Sequence, residues 1–429
     1  MRAAFWLLAL FAIAAATALF AGNNQAVLSI FWPPHRIDVS FNLAVFLLLG
    51  LFVLIYVAMR ALSAVVSLPL QARAWRAQQK ERAMYGALMD ALAHQLAGRY
   101  IRATRSAQNA LTQEKSLSRL AIESGQVPGY SPARASQLQS LAHLLVAESA
   151  QALQNKPLRD SHLQLALQSS APRHAQEVRE GVQFRAARWA LDDKDAAAAL
   201  DALAELPQGA GRRTLALRMR LRANRYLRQT QQALETARLL AKHRAFSPDA
   251  AQSIVRGLGL ELLGDAHDPA QLMQAWALLD TNERAMPELA VHAASRMMTL
   301  RGDAEVARAW LLLVWPQLVS AGSPLSDSLR IRLIKALEPG LESMNAAWLE
   351  RIEAAQSARP RDANLQYLAG RACFSRQLWG KARQWLSLSV LGLQDSLLIR
   401  QAWLTLALLA EQRDDPAAAA EAYKQAAQL

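Results

Sequence analysis

The sequence predicts an all-α protein in which a two-helix transmembrane hairpin precedes an α-solenoid of helix pairs. Three observations support this prediction. Leu and Ala dominate the 429 residues, and β-branched residues are sparse after residue 70, a composition that favours helix. Two long apolar runs lie near the N-terminus. Beyond them, small residues recur at helical spacing along most of the chain.

The two apolar runs predict two membrane-spanning helices. They cover residues 3–21 and 39–59, and neither contains a charged side chain. About 20 apolar residues are needed to cross the hydrocarbon core of a bilayer, so both runs are long enough. A cleaved signal peptide is the alternative for the first run, because Arg2 precedes it and Ala16-Thr17-Ala18 resembles a cleavage site.

The distribution of Lys and Arg predicts the orientation of these spans. The link between them, residues 22–38, contains one basic residue, Arg36, whereas a cluster of basic residues follows the second span. Because cytoplasmic segments are richer in Lys and Arg, we expect the N-terminus and the body of the chain to be cytoplasmic. We also expect the cluster to contact lipid headgroups. Its members are Arg60, Arg73, Arg76, Lys80, Arg82, Arg99, Arg102 and Arg105.

The segment VLSIFWPPHRIDVSFN, residues 27–42, separates the two spans and differs from both. Its second half alternates Ile37, Val39 and Phe41 with Asp38 and Ser40, which is the period of a strand with one solvated face. Pro33-Pro34 predicts a turn or an extended break. The pattern favours a small β-hairpin at the outer membrane interface, with an irregular polar loop as the alternative.

Small residues recur at one spacing in the body of the chain. The stretch LAGRYIRATRSAQNAL contains A-x3-A-x2-A, and related patterns are 35 residues apart (198 to 233) and 37 residues apart (382 to 419). A period near 34 with this consensus describes degenerate tetratricopeptide repeats, which are stacked helix pairs. The residues that carry the consensus are Ala103, Ala107, Ala110, Gly370, Ala382, Leu386, Trp403, Leu406, Ala407, Ala419, Tyr423 and Ala426.

These patterns divide the chain into three predicted segments. Residues 1–60 form the transmembrane hairpin, and residues 61–111 form basic juxtamembrane helices that lead into the first repeat. Residues 112–429 form the repeat array.

The sequence contains no recognisable catalytic or cofactor motif, so we expect a protein that is not an enzyme and has no metal site. Gly257, Gly259 and Gly264 do not have the spacing of a dinucleotide loop. The single cysteine, Cys373, excludes an internal disulfide, and its apolar surroundings predict a buried thiol. The eight histidines form no close pair along the chain, although haem or porphyrin binding by one of them is an alternative.

The net charge of +13 raises the question of an anionic partner. No zinc-finger spacing, aromatic RNA-binding strand or dense basic tract is present, so we expect no nucleic acid. Arg218, Arg222 and Arg225 stand at i, i+4 and i+7, on one face of a helix. This stripe is a candidate site for an acidic segment of another protein, and a solvated face is the alternative.

Taken together, the two spans, the strip WPPHRIDVSFNLAVFLLLG, the basic juxtamembrane helix and the degenerate repeats resemble the proteobacterial HemY family. The resemblance covers essentially the whole chain. Its most specific part is the strip, and the helix around Gly98 and Ala103 is similar to the stretch that follows it in the family. The residues that carry the family motif are Trp32, Pro33, Pro34, Arg36, Asp38, Ser40 and Asn42.

The resemblance implies a multi-pass protein of the bacterial inner membrane that acts in late protohaem synthesis as a scaffold or regulator. Its implied partners are late haem-pathway enzymes. An unrelated flavin-dependent protoporphyrinogen oxidase shares the family's name, but this sequence lacks that enzyme's dinucleotide loop, so its activity is not carried over. Two other functions stay open, a tetrapyrrole-binding carrier or sensor and a general membrane-tethered assembly or quality-control adaptor.

Overall fold

The computed structural model describes residues 2–22, 25–124, 131–319 and 326–428. Its internal contacts divide the chain into two compact units, Met1–Arg179 and Glu180–Leu429. The predicted all-α class is confirmed, because the described elements are helices apart from one two-stranded sheet. The first unit carries the sheet and the longest helix, and the second is a solenoid-like succession of helix pairs.

The first unit begins with a helix and a β-hairpin. Antiparallel β1 and β2 pair over their full length, which confirms the predicted hairpin and excludes the irregular loop. The turn between them contains a cis Pro33–Pro34 peptide bond. The elements are α1 (Arg2–Gly22), β1 (Val27–Trp32), β2 (His35–Ser40), α2 (Phe41–Leu96), α3 (Tyr100–Ser124), α4 (Pro132–Ala152), α5 (Lys156–Ser169) and a 3-10 turn (Arg173–Ala175).

Helix α2 starts later and runs further than the predicted second span. The helix begins at Phe41, two positions after the predicted start of the second span, because Val39 and Ser40 complete β2. Ser40 then ends the strand and caps the helix, since its hydroxyl accepts a hydrogen bond from the N–H of Leu43 at 3.3 Å. The helix passes the predicted segment boundary at residues 60–61 without a break.

One stretch within the described residues, Phe41–Val65, is long and apolar enough to cross a membrane, and its side chains are exposed. It includes most of the second predicted span. The first predicted span is helical as α1, and the apolar part that is described there, Leu8–Leu19, is shorter. The described residues therefore contain one candidate membrane span, and a second crossing stays a prediction.

The second unit contains successive helix pairs, each in contact with the next along the chain. The larger helices pair as α6–α7, α9–α10, α11–α12, α14–α15, α17–α18, α19–α20 and α21–α22, with short helices between some pairs. The elements are α6 (Gln176–Asp192), α7 (Ala196–Ala204), α8 (Gln208–Gly211), α9 (Thr214–Tyr226), α10 (Thr230–Lys242), α11 (Pro248–Gly264), α12 (Pro269–Ala277), α13 (Thr281–Arg284), α14 (Pro287–Thr299), α15 (Ala304–Leu312), α16 (Trp315–Val319), α17 (Asp327–Leu337), a 3-10 turn (Glu338–Gly340), α18 (Ala346–Ala358), α19 (Ala363–Ser375), α20 (Trp379–Ser389), α21 (Ser396–Glu411) and α22 (Pro416–Ala427).

A left-handed residue ends the first helix of many pairs. At Lys194 and Arg228, φ is 64° and 54°, and these positions are 34 residues apart (194 to 228). The next residue donates its N–H to the carbonyl five positions back, as from Asp195 to Ala190 at 2.8 Å, which is a Schellman-type helix end. The repeat is therefore visible in the backbone. Other left-handed positions between consecutive helices are Gly98, Gln154, Arg244, Arg301, Gln377 and Asp414.

The largest core of the second unit runs from Leu217 to Leu409 as one cluster of buried residues. Trp276 and Trp310 stack with their ring centroids 4.8 Å apart, and Trp315 meets Trp348 edge-on at 5.4 Å. All four are buried, as expected if large aromatic side chains fill the space between paired helices. These four tryptophans therefore pack neighbouring helices of the array together.

Candidate functional site

The polar motif residues of the hairpin form one hydrogen-bonded face. Asp38 lies directly opposite Ser29 in the register and accepts a hydrogen bond from its hydroxyl. The guanidinium of Arg36 donates to the same carboxylate, with Nε 3.1 Å from Oδ1, and lies 5.3 Å from the ring centre of Phe31. These exposed contacts join the two strands across the face, so the charged motif residues hold the hairpin together.

The remaining motif residues lie at the two ends of the hairpin. Trp32 pairs with His35 immediately before the turn at Pro33 and Pro34. Ser40 caps α2, and Asn42 follows in its first turn. The motif therefore specifies a turn, a cross-strand polar network and a helix start, none of which requires a bound ligand.

The opposite face of the hairpin is apolar and exposed. Leu28 and Ile30 pair with Val39 and Ile37, and Trp32 lies on the same face. The exposed fraction of Trp32 is 75% and that of Ile37 is 53%. Because β2 leads directly into the membrane-length part of α2, this apolar face lies close to one end of that helix.

The predicted arginine stripe is present on α9, but its members differ in how free they are. Arg218 donates to the carbonyl of Ala245 at 2.7 Å and lies over the ring of Phe246. Arg222 is 3.6 Å from the carboxylate of Asp192. Arg225 is exposed and makes no ion pair or hydrogen bond with the described residues. One of the three guanidinium groups is thus fully available to a partner.

Arginines elsewhere in the second unit bind backbone carbonyls at the C-terminal ends of helices. Arg238 reaches the carbonyl of Leu278, and Arg308 reaches that of Gly340, at 2.8 and 2.7 Å. Helix C-termini carry unpaired carbonyls and partial negative charge, which a guanidinium satisfies. Arg284 binds the carbonyl of Ala277 at the end of α12 in the same way, whereas Arg218 and Arg296 bind carbonyls that lie three and two residues beyond the ends of α10 and α11. Part of the chain's basic character is therefore structural.

The residues of the repeat consensus lie mostly in the interiors of helix pairs. Gly370 on α19 lets α20 approach closely, because a Cβ there would lie 2.6 Å from Cγ of Leu386. Tyr423 is the exception, since 38% of it is exposed and its hydroxyl donates to Glu411. Trp403 and Leu406 are half-buried. The fully or nearly fully buried members are Ala103, Ala107, Ala110, Ala382, Leu386, Ala407, Ala419 and Ala426.

A cavity of about 440 Å³ lies between α20 and the end of α21. Trp379, Arg383 and Arg413 line it together with polar side chains and the methyl groups of Leu409. Both arginines are exposed and form no ion pair with the described residues. An exposed indole beside two unpaired guanidinium groups offers apolar area and charge to an acidic peptide.

The first unit contains a histidine pair that the sequence does not reveal. His143 on α4 and His162 on α5 face each other, with their Nδ1 atoms 3.0 Å apart. Burial, the neighbouring imidazole and Lys115 lower the pKa of His143 to about 4. Burial also lowers the pKa of His162. Both rings are therefore neutral at physiological pH, and one donates a hydrogen bond to the other.

A buried polar network crosses three elements of the second unit. The hydroxyl of Tyr367 donates to the carboxylate of Glu338, which also accepts from Arg371 at 3.1 Å. Arg371 continues to the hydroxyl of Thr405 on α21 at 2.8 Å. Burial and the adjacent carboxylate raise the pKa of Tyr367. These hydrogen bonds link neighbouring helix pairs, and each polar group among them has a partner, as a structural role requires.

The described residues contain no group of three or more His, Cys, Asp or Glu side chains placed to hold a metal ion. Cys373 is buried, as its apolar surroundings predict, and burial raises the pKa of its thiol to about 11. A thiol of this kind is largely unreactive at neutral pH.

Comparison with known proteins identifies the first part of the chain. Residues 27–122 match the family described as the HemY protein N-terminus. Because of this similarity, residues 27–122 are called the HemY-type region. No curated protein matches the chain.

Solved structures with similar helices share little sequence with this chain. The TPR domain of P58(IPK) is 12% identical, with a TM-score of 0.22, and the match covers 77% of this chain and 99% of that one. The structure of Naa15/Naa10 bound to HypK-THB is 13% identical, with a TM-score of 0.24, and the match covers 77% of this chain and 57% of that one. The APC/C hetero-tetramer Cut9–Hcn1 is 15% identical, with a TM-score of 0.27, and the match covers 81% of this chain and 66% of that one.

The HemY-type region extends from the first residue of β1 into α3. It therefore includes the hairpin, all of α2 and the first close helix pair, so the predicted family resemblance is confirmed for this part of the chain. All seven motif residues lie within it. The histidine pair, the Tyr367 network and the carbonyl-bound arginines were missed by sequence reasoning. Apart from the 7-residue separation of Arg284 and Ala277, their partners are 19 to 40 positions away and share no local pattern.

Proposed function

We propose that the protein is a membrane-anchored scaffold or regulator that acts in late protohaem biosynthesis through protein–protein interaction and has no catalytic role. The observation that carries this proposal is the HemY-type region, which contains the membrane-length helix and continues into a chain of helix pairs. Helix-pair arrays present long surfaces of many side chains, and such surfaces suit binding to protein segments.

The anchor in this proposal consists of α1 and α2, both crossing the bacterial inner membrane. The concentration of Lys and Arg after Arg60 supports a cytoplasmic position for the helix pairs. The hairpin then lies at the outer face. Its apolar surface around Trp32 and Ile37 rests on the lipid interface, where Trp is favoured, and its Arg36–Asp38 face points to water.

The binding surfaces in this proposal are two basic sites of the second unit. Arg225 offers a free guanidinium on α9, and the cavity at Trp379 offers Arg383 and Arg413. Both suit an acidic segment of a late haem-pathway enzyme, since guanidinium groups bind carboxylates in a bidentate geometry. Anchoring both proteins at one membrane raises their effective concentration, so modest contacts are sufficient for assembly.

Crosslinking in native membranes with identification of the partners tests this function, together with porphyrin profiling of a deletion strain. We expect late haem-pathway enzymes among the partners and altered porphyrin levels. The double variant Arg383→Glu/Arg413→Glu should reduce crosslinking. Arg361→Glu/Arg400→Glu is its matched control, because both residues are exposed arginines outside the cavity.

Removal of residues 1–60 separates anchoring from binding. We expect this variant to retain its partners in purified mixtures but to lose them in cells, because it no longer concentrates at the membrane. The proposal fails if no haem-pathway enzyme is recovered with the full chain and the deletion strain has normal porphyrin levels.

A further inference from the structure

A second basic cavity lies in the first unit, between α2 and α3. It has a volume of about 350 Å³. Thr112, Lys115, Ser116 and Arg119 line it from α3 at positions i, i+3, i+4 and i+7, which place their side chains on one face. Lys80 enters it from α2. Two adjacent helices therefore direct three cationic side chains and two hydroxyl groups to one concave site.

Among the described residues, no ion pair neutralises the cations of this cavity, although Lys115 interacts electrostatically with the neighbouring Glu114. The cavity lining contains no carboxylate, and Lys80, Lys115 and Arg119 form no ion pair with the described residues. Glu114 is next to Lys115 in the chain but is only 1% exposed, and its Oε2 accepts a hydrogen bond from Gln139 on α4 at 2.6 Å. Its carboxyl group is therefore directed towards α4 and is not among the cavity residues.

We propose that this cavity binds a phosphate group. Three convergent cations match the charge and the terminal oxygens of a phosphate monoester, whereas a single carboxylate has one charge and two oxygens. The Thr112 and Ser116 hydroxyls donate to the carbonyls of Gln108 and Gln113 at 2.9 and 2.8 Å, so the cations supply the main donors. The inference goes beyond the proposed scaffold function, because it requires no protein partner.

The phosphate has two possible sources with the same chemistry, a lipid headgroup or a soluble phosphate compound. Lys80 follows Val65, the end of the membrane-length stretch, by 15 residues (65 to 80), or about 22 Å along a helix axis. A headgroup therefore reaches the cavity only where α2 is inclined to the membrane. A soluble phosphate reaches it at any inclination.

Binding to the purified full-length chain tests the site in two arms. Inorganic phosphate and pyrophosphate are titrated in non-ionic detergent, with ³¹P NMR line broadening as the measurement. Nanodiscs of phosphatidylcholine with or without phosphatidic acid provide the lipid arm, measured by retained lipid in native mass spectrometry. The triple variant Lys80→Gln/Lys115→Gln/Arg119→Gln is compared with Arg134→Gln/Lys156→Gln/Arg173→Gln, which removes the same charge from exposed positions of the first unit outside both the cavity and the basic cluster that follows the second span.

We expect the wild type and the control variant to bind in at least one arm and the cavity variant to bind about tenfold more weakly or worse. Binding in detergent identifies a soluble ligand, and binding only in nanodiscs with phosphatidic acid identifies a lipid. Equal weakening by both variants, or no binding in either arm, overturns the proposal. Circular dichroism spectra establish whether both variants are folded. If the triple cavity variant is unfolded, the single variant Arg119→Gln replaces it.

Discussion

Single residues in this protein are often coupled to partners far along the chain. His143 and His162 illustrate this, since they meet across α4 and α5 although 19 residues separate them. Local patterns could predict the buried alanines and Cys373, because their periodicity lies within one helix. They could not predict contacts such as the histidine pair or the Tyr367–Glu338 bond, which depend on how separate helices pack.

The histidine pair should make the first unit sensitive to acid. An unfolded imidazole titrates near pH 6.5, whereas burial lowers the pKa of His143 to about 4 in the folded chain. The stabilisation by the neutral pair is therefore complete above pH 6.5 and is lost as the pH falls towards 4. We expect hydrogen-exchange protection factors in α4 and α5 to decrease between about pH 7 and pH 5.

The variant His143→Gln tests that origin, because it removes the imidazole whose pKa burial lowers to about 4. Its protection factors should depend less on pH than those of the wild type. His94→Gln, on neighbouring α2, is the control and should retain the full dependence. An unchanged pH dependence in His143→Gln would contradict the assignment.

Arg308 should contribute strongly to stability although it carries a charge. It is 5% exposed, and its guanidinium donates to the carbonyls of Gly340 and Ser343. Arg308→Ala removes both of these buried hydrogen bonds together with buried methylene groups, so we expect a loss of about 2–4 kcal/mol in the free energy of unfolding. Chemical denaturation measures it. Arg400→Ala, at an exposed position, should change stability by less than about 0.5 kcal/mol.

At the scale of elements, the presence of a helix or strand was easier to predict than the residues at which it begins and ends. The alternation in residues 37–41 predicted β2, which the structure forms as His35–Ser40. The start of α2 was misplaced because Val39 and Ser40 suit both an apolar helix and a strand. The left-handed positions at Gln154 and Arg301 gave no signal, since neither residue type favours that conformation.

The close approach of α19 and α20 should depend on Gly370. A Cβ there would lie 2.6 Å from Leu386 Cγ and 3.1 Å from the Leu386 backbone nitrogen, so the helices must move apart. We expect Gly370→Ala to destabilise the second unit by about 1–3 kcal/mol in thermal or chemical unfolding. Gly257→Ala, inside α11 with no atom within 4 Å of the added Cβ, should instead stabilise it by up to about 1 kcal/mol. Stabilisation by both substitutions would contradict the packing argument.

At the scale of the whole chain, composition and periodicity predicted the all-α class and the order of hairpin, membrane-length helix and repeats. The division into units was not predictable in the same way. Residues 111 and 112 were expected to separate two segments, yet α3 continues through them and packs against α2 and α4. A boundary between units depends on which helices touch, and a degenerate repeat does not specify that.

Cysteine labelling tests the proposed topology of the whole chain. The native Cys373 is buried with its thiol pKa raised to about 11, so the wild type should give little background. A membrane-impermeant maleimide should label His35→Cys, at the exposed hairpin turn, in intact cells with a permeable outer membrane. It should label Arg105→Cys, exposed on α3, only after the inner membrane is opened. The reverse pattern would contradict the orientation.

The uninterrupted course of α2 has a consequence for how the anchor works. From Val65 to Leu96 the chain stays helical for 31 further residues (65 to 96), about 46 Å along the axis, and α3 packs directly against this part. A flexible linker would let the attached domain take many orientations and distances relative to the bilayer. A continuous helix instead transmits its tilt and rotation directly to the first helix pair. Under the proposed membrane anchoring, the distance of that pair from the bilayer and its direction are set inside the membrane, so a partner must present its own surface at the matching distance.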